Sequence, residues 1–198
     1  MKLLVDTDAF CKLAVSGLFH DAVDLLGANM TECGRLPALP YMLQKGRLRT
    51  TYGPASCDDM IPIASSMPIV EQPDESWLDK LAPMQAIDIG EALIFASAAE
   101  TGMFVMTGDK RALIGLSDAA EFVEALAGRI VVLEAILVAL CDRFGPEYVR
   151  QRAQVLAASD KMVQICFSVA NQDPREGLLS YFRDFRLQLD PLILWNPR

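Results

Sequence analysis

The chain has 198 residues, of which 52% are hydrophobic and 22% are charged. This is the composition of an ordinary globular protein, so it excludes a chain that is disordered throughout. The formal net charge is −8, so the overall field repels nucleic acid, and any such contact must be local or bridged by cations. The five cysteines form no CxxC pair, which argues against a zinc knuckle and against a disulfide framework.

The cellular location is predicted from the thiols and from the apolar segments. Free thiols suit a reducing compartment, and the N-terminal sequence becomes charged at Asp6 and Asp8, so we expect no signal peptide. The most apolar window covers only residues 130–141 and contains Glu134, so it is too short to span a bilayer. We therefore expect a soluble cytoplasmic protein that does not contact a membrane.

The first half of the chain begins with an apolar run at residues 3–5, which predicts a buried strand. The spacing of apolar residues predicts helices over residues 9–15, 20–26 and 40–45. Residues 50–73 are rich in proline and serine and predict a loop that contains one strand at 68–70. A short helix with an acidic cap is expected at residues 74–81.

The segment from Asp88 to Asp109 predicts a helix followed by a strand. Asp88 and Glu91 have the spacing of a capping box, and an alanine-rich, mostly buried helix follows them until Gly102. The apolar residues 103–106 predict a strand, and the sequence Thr-Gly-Asp forms a turn at its carboxyl end.

The next part of the chain continues the alternation of helix and strand. Asp118 and Glu121 predict another capped helix, and residues 130–133 predict another strand. Alternating strands and helices imply a parallel sheet with helices on both faces, so the fold class is α/β. We assign residues 1–135 to this domain and residues 136–198 to a C-terminal helical extension, packed on the domain or at a dimer interface.

The extension has two features that the sequence makes plain. Asp173-Pro174-Arg175-Glu176 is typical of a helix start, with a cap, a proline at the first position and a glutamate three residues after the cap. The apolar residues 192–195 close to the end of the chain are expected to dock on another part of the protein.

Three carboxylates are candidates for a metal site. Asp6 and Asp109 follow predicted parallel strands, and Glu91 opens the helix that leads into the second strand, so the three can converge at one sheet edge. Crowded carboxylates repel one another, and Mg²⁺ or Mn²⁺ relieves that repulsion. Such an ion can polarise a phosphodiester and activate water. Asp8 and Asp88 are further candidate ligands, although turn and capping roles also explain each acid taken singly.

The residues at 3–19, LLVDTDAFCKLAVSGLF, and at 88–113, DIGEALIFASAAETGMFVMTGDKRAL, resemble the PIN domain family, and the resemblance covers residues 1 to about 135. It implies that Asp6, Glu91 and Asp109 bind a divalent metal ion and that the protein is a magnesium-dependent ribonuclease, as are many toxins of toxin–antitoxin pairs. With the apolar C-terminal end, it also implies a homodimer. An antitoxin is a further expected partner.

The sequence departs from the family at one acid. The family usually has a glutamate at the place where this chain has Gln44, and a neutral residue there lowers the charge that attracts a metal ion. The alternative function is therefore a catalytically degenerate PIN-like module that binds a protein or RNA without cleaving it. The strand followed by Asp6-Thr7-Asp8 also resembles a HAD-type phosphohydrolase, but Leu113 stands where that family needs a later acid.

Two clusters of basic residues are candidates for contacts with the phosphate backbone of RNA. They comprise Lys45, Arg47 and Arg49 in the first cluster and Lys110 and Arg111 in the second. Either cluster is equally compatible with an ordinary solvated loop.

Overall fold

The computed structural model describes residues 2–167 and 173–197. Within these residues the chain forms one sheet of four parallel strands in the order β2-β1-β3-β4. The strands are β1 Leu3–Val5, β2 Cys33–Arg35, β3 Phe104–Thr107 and β4 Ile130–Val132. The predicted α/β class with a parallel sheet is confirmed.

The described residues also form thirteen α-helices. They are α1 Thr7–Val15, α2 Phe19–Leu25, α3 Leu39–Gln44, α4 Arg47–Tyr52, α5 Pro54–Ser66, α6 Glu75–Leu81, α7 Ile89–Thr101, α8 Lys110–Ser117, α9 Ala120–Ala125, α10 Leu133–Phe144, α11 Pro146–Ala153, α12 Lys161–Phe167 and α13 Pro174–Gln188. Two 3-10 helices occupy Met30–Glu32 and Gln154–Leu156. None of the described helices is long and apolar enough to cross a membrane.

The sheet separates two apolar clusters, because successive side chains of a strand point to opposite faces. Leu3 and Val5 pack into one cluster, which also takes buried residues of α1, α2, α5 and α10. Leu4 packs into the other cluster, together with buried residues of α7, α8 and α13. Helices therefore cover both faces of the sheet, and the described part of the C-terminal extension packs against both clusters.

The predicted loop over residues 50–73 is wrong for most of its length. Helix α4 ends at Tyr52 and α5 begins at Pro54, with Gly53 between them at φ +84°. Proline is favourable at the first position of a helix, because the amide hydrogen that it lacks would have no partner there, so this proline starts a helix. The strand expected at residues 68–70 is reduced to one parallel bridge between Ile69 and Arg35.

Strand β2 was not predicted, because its sequence Cys-Gly-Arg contains no apolar run. Arg35 is nevertheless buried. Its Nε donates a hydrogen bond to the carbonyl oxygen of Ala64 at 2.6 Å, and its Nη1 donates to that of Leu36 at 3.0 Å. A buried arginine is tolerated when its donors are satisfied in this way, and the contact with Ala64, 29 residues away, cannot be seen in the local sequence.

The capping box predicted at Asp118 is also wrong. Asp118 lies at the C-terminal end of α8, and α9 starts after Ala119, which caps it with no side-chain hydrogen bond. The two helices are so close in sequence that the acid belongs to the end of the first. By contrast, the helix predicted at Asp173 is confirmed, since its side chain accepts a hydrogen bond from the amide of Arg175 at 2.9 Å.

The C-terminal extension is continuous with the sheet domain. Helix α10 runs through residues 135 and 136, so the boundary drawn from the sequence lies inside a helix. Near the end of the chain, Leu194 forms a parallel bridge with Ile130 of β4 and is 2% exposed. Leu192 is buried as well. The apolar end therefore covers the free edge of the sheet within the same chain.

Candidate functional site

The carboxyl ends of β1 and β3 lie side by side, because the two strands are paired in parallel register. The amide of Asp6 donates a hydrogen bond to the carbonyl oxygen of Met106 at 2.9 Å, which fixes the end of β1 against β3. At this edge lies a cavity of about 750 Å³ that is lined by five carboxylates, Asp6, Asp8, Asp88, Glu91 and Asp109. We call it the carboxylate cavity. The five carboxylates come from three segments of the chain, and residues 42–52 contribute a fourth part of the lining.

Asp6 caps the first helix as well as lining the cavity. Its Oδ2 accepts a hydrogen bond from the amide of Asp8 at 3.2 Å. The pKa of Asp6 is raised from 3.8 to about 6, chiefly by burial. The negative charges of Asp8 and Asp88 also raise it, and hydrogen bonds from the backbone of Thr7 and Asp8 lower it. The backbone hydrogen bonds of α1 stabilise the carboxylate of Asp6 only in part, because burial without a nearby cation disfavours its negative charge.

Glu91 takes part in the capping box that the sequence predicted. Its Oε2 accepts a hydrogen bond from the amide of Asp88 at 2.7 Å, and Oδ1 of Asp88 accepts one from the amide of Glu91 at 2.8 Å. The pKa of Glu91 is raised from 4.5 to about 7, chiefly by burial and also by the charges of Asp88, Asp109 and Asp6. The hydrogen bond from the amide of Asp88 acts in the opposite direction. The capping role and the electrostatic coupling to the cavity are therefore both present in one side chain.

Asp109 is the N-cap of α8. Its Oδ1 accepts hydrogen bonds from the amides of Arg111 at 2.8 Å and Ala112 at 3.0 Å. Its own amide donates to the hydroxyl of Thr107 at 3.2 Å, which shapes the turn that follows β3. The capping uses one oxygen, so Oδ2 remains the atom that can serve a ligand in the cavity.

The predicted basic residues fall into two groups. Lys45 and Arg47 line the carboxylate cavity. Of the other three, Arg49 pairs with Asp58 at 2.6 Å and Lys110 pairs with the buried Glu134 at 2.7 Å, whereas Arg111 has a side chain that is 86% exposed and whose Nη2 lies 3.9 Å from Oδ2 of Asp109. The predicted cations beside the carboxylates, where a phosphate bound at the cavity would lie, are thus Lys45, Arg47 and Arg111.

Gln44 is the last residue of α3 and is exposed. Its neighbours Met42 and Lys45 line the carboxylate cavity, whereas Gln44 is not among the described residues that do so. Gln44 therefore does not line the carboxylate cavity.

The donors fit a hard divalent cation in chemistry, since carboxylate oxygens are what Mg²⁺ and Mn²⁺ prefer. Across residues 2–167 and 173–197, however, no three His, Cys, Asp or Glu side chains are grouped so that they could hold a metal ion between them. Mg²⁺ usually keeps several waters and takes only one or two carboxylates directly. A spread set of carboxylates around a cavity of this volume therefore suits a largely hydrated ion.

Two residues near the site were missed by the sequence reasoning. Lys12 pairs with Asp8 at 2.9 Å, four residues away along α1, and this spacing is a signal that could have been used. Asp160 pairs with the same lysine at 2.8 Å, and nothing in the sequence indicates that contact. Burial alone would lower the pKa of Lys12, but Asp8 and Asp160 together raise it above its usual value.

Comparisons with known proteins add no family to this description. No model of a protein family matches the chain, and neither a curated protein nor a solved structure matches it.

Proposed function

We propose that the chain is a PIN-like, divalent-metal-dependent nuclease that hydrolyses phosphodiester bonds of RNA, of the kind found among toxins. The observation that carries the proposal is that Asp6, Glu91 and Asp109, from three distant segments, line the same cavity at the carboxyl edge of a parallel sheet. These are the positions to which the resemblance assigns metal binding. In open α/β sheets, this edge is where ligands bind.

The charges of the cavity support binding of a cation. Burial and mutual repulsion raise the pKa values of Asp6 and Glu91, so a positive ion among the carboxylates offsets an unfavourable interaction that already exists. Asp6, Glu91 and Asp109 would hold Mg²⁺ or Mn²⁺, with Asp8 and Asp88 as further ligands, directly or through water. When bound, such an ion polarises the phosphate and lowers the pKa of water.

The chain's own cations would place the substrate. Lys45 and Arg47 line the cavity, so their positive charges can hold phosphate groups of an RNA strand next to the carboxylates. The overall negative charge of the protein would otherwise repel the strand. We therefore expect RNA to bind only where these two residues and the metal ion act together.

The proposal is tested by cleavage of a fluorescently labelled single-stranded RNA in Mn²⁺ and in EDTA. We expect cleavage that needs the metal ion and that is lost in Asp109→Asn, because asparagine keeps the helix cap and removes the charge. Asp59→Asn is the matched control, since Asp59 is exposed and does not line the carboxylate cavity. Cleavage that persists in Asp109→Asn would contradict the assignment of the site.

A second candidate function is a degenerate PIN-like module that binds RNA or a protein without cleavage. It is favoured by the absence, within the described residues, of three acids grouped closely enough to hold an ion, whereas Gln44, the neutral residue that first suggested it, does not line the carboxylate cavity. RNA retained in Mn²⁺ but left intact by the wild type would favour this function over the nuclease.

The toxin role brings two further proposals, an antitoxin partner and a homodimer. The apolar residues Leu192 and Leu194 are covered by β4 and its surroundings in the same chain. A homodimer would therefore have to use a different surface from the one that the sequence suggested.

A further inference from the structure

One lysine connects the carboxylate cavity to the C-terminal extension. Lys12 lies on α1, and its Nζ is 2.9 Å from Oδ2 of Asp8 and 2.8 Å from Oδ2 of Asp160. Asp8 lines the carboxylate cavity, whereas Asp160 precedes α12 in the extension. The side chains of Lys12 and Asp160 are only 15% and 11% exposed, so the bridge is largely shielded from water and from salt.

Asp8 is also held from its other side. A Cβ added at Gly108 would lie 2.8 Å from Oδ2 of Asp8, which means that this oxygen lies directly against the turn that carries Asp109. The same oxygen contacts Lys12. The Asp8 carboxylate is therefore fixed between the lysine and the turn, although 46% of its side chain is exposed.

Asp160 controls how much of the lysine's charge Asp8 receives. If Lys12 had Asp8 as its only partner, its ammonium group would neutralise one of the five carboxylates of the cavity. Because Asp160 shares the ammonium group, Asp8 keeps part of its negative charge and a fixed position. Asp160 itself is firmly placed, since its Oδ1 accepts a hydrogen bond from the amide of Val163 at 3.1 Å at the start of α12.

We propose that Lys12 is a positioning residue of the carboxylate cavity and that Asp160 holds it in place, so that the C-terminal extension completes the metal site. The inference rests on the proposed function, because the position of Asp8 matters only if the cavity binds a cation. The extension is then part of the site and not only a support for the fold.

The test compares manganese affinities, measured by calorimetry on the full-length protein. In Asp160→Asn, Lys12 keeps Asp8 as its only charged partner and neutralises more of its charge. We therefore expect Mn²⁺ to bind about fivefold more weakly. The double variant Lys12→Met/Asp160→Asn leaves the total charge unchanged and leaves no buried charge unpaired. If Lys12 and Asp160 act only through charge, this double variant binds Mn²⁺ at least as tightly as the wild type, because Asp8 is no longer paired with a cation. We expect it to bind at least as weakly as Asp160→Asn, because Asp8 has lost its anchor.

The matched control is Asp142→Asn/Arg175→Met. These two residues form a bidentate ion pair between α10 and α13, and neither lines the carboxylate cavity. Like the double variant, the control removes one carboxylate and one cation, so it should lower the melting temperature without changing the manganese affinity. Wild-type or tighter binding in Lys12→Met/Asp160→Asn, or an equal loss in the control, would overturn the inference alone. No manganese binding in the wild type would overturn the proposed function, and the inference with it.

Discussion

Asp6 is the residue in which folding and the proposed chemistry meet most closely. It caps α1 through Oδ2, and it lines the carboxylate cavity. A cap that served only the helix would be exposed and freely ionised, whereas burial raises the pKa of Asp6 to about 6. The charged form of Asp6 therefore destabilises the metal-free protein, and a cation bound beside it would offset that cost.

This conflict predicts how stability depends on pH. The pKa of Asp6 rises from 3.8 in the unfolded chain to about 6 in the folded protein, so its contribution to stability is present below about pH 4 and is lost as the pH rises to about 6. Asp6→Asn has no such titration and keeps the cap. In EDTA we expect this variant to have a free energy of unfolding about 1 kcal/mol above that of the wild type at neutral pH.

Urea denaturation of both proteins at a series of pH values checks this expectation. The difference in unfolding free energy should grow from about pH 4 to pH 6 and then level off. Two curves that run parallel over this range would show that Asp6 is not held in an unfavourable charged state.

At the scale of elements, the residues that cap the start of α7, Asp88 and Glu91, also line the carboxylate cavity. Glu91→Gln keeps an acceptor oxygen for the amide of Asp88 and removes a charge that burial disfavours, so we expect the melting temperature in EDTA to be at or above that of the wild type while manganese binding is lost. Glu91→Ala removes the acceptor too and should lower the unfolding free energy by about 1 kcal/mol. Calorimetry and thermal denaturation of the two variants separate the capping role from the ligand role. Full manganese affinity in Glu91→Gln would show that Glu91 caps the helix and is not a metal ligand.

Helix α4 offers a second contrast, between two arginines that are two residues apart. Arg47 lines the cavity, whereas Arg49 pairs with Asp58 and also donates to the carbonyl oxygen of Leu43 at 3.3 Å. We expect Arg47→Gln to raise the KM for RNA about fivefold with little change in kcat, as the loss of one phosphate contact would. Arg49→Gln should instead lower the melting temperature and leave KM unchanged. Initial rates over a range of RNA concentrations distinguish them, and equal effects on KM would contradict the placement of Arg47.

Elements whose sequences satisfy local rules could be predicted, and those that depend on distant partners could not. Strand β1, helix α7 and helix α13 have an apolar run, a capping box and a capped proline, respectively, and all three were predicted. Strand β2 contains a buried arginine, Arg35, whose Nε donates a hydrogen bond to the carbonyl oxygen of the distant Ala64. No local pattern reports such a partner.

At the scale of the whole molecule, the end of the chain protects the sheet. Leu194 pairs with Ile130, and the amide of Trp195 donates to the carbonyl oxygen of Ile130 at 2.9 Å. A stop codon in place of Leu192 removes two buried leucines and should lower the unfolding free energy by about 3 kcal/mol. A stop codon in place of Asn196 is the control and should have little effect. Denaturation midpoints measure both, and equal midpoints would show that this end does not stabilise the sheet.

The part of the site that depends on the ends of strands and helices could be predicted from the sequence, whereas its contacts with the rest of the protein could not. Acids at the ends of two parallel strands and at a helix start implied that they line one cavity, because a parallel sheet brings those ends together. The sequence could not show which cations would be engaged elsewhere, as Lys110 is by Glu134. Nor could it show that Asp160 reaches Lys12, since that contact depends on how the extension packs.

Calorimetric titration of the purified protein with Mn²⁺ tests whether the five carboxylates form a cation site. We expect the wild type to bind Mn²⁺, the binding to tighten as the pH rises through the raised pKa values of Asp6 and Glu91, about 6 and 7, and Asp6→Asn to abolish it. The titration needs no RNA substrate. A wild type that binds no Mn²⁺ at neutral pH, or an Asp6→Asn variant that binds it equally well, would show that the carboxylates are not a cation site.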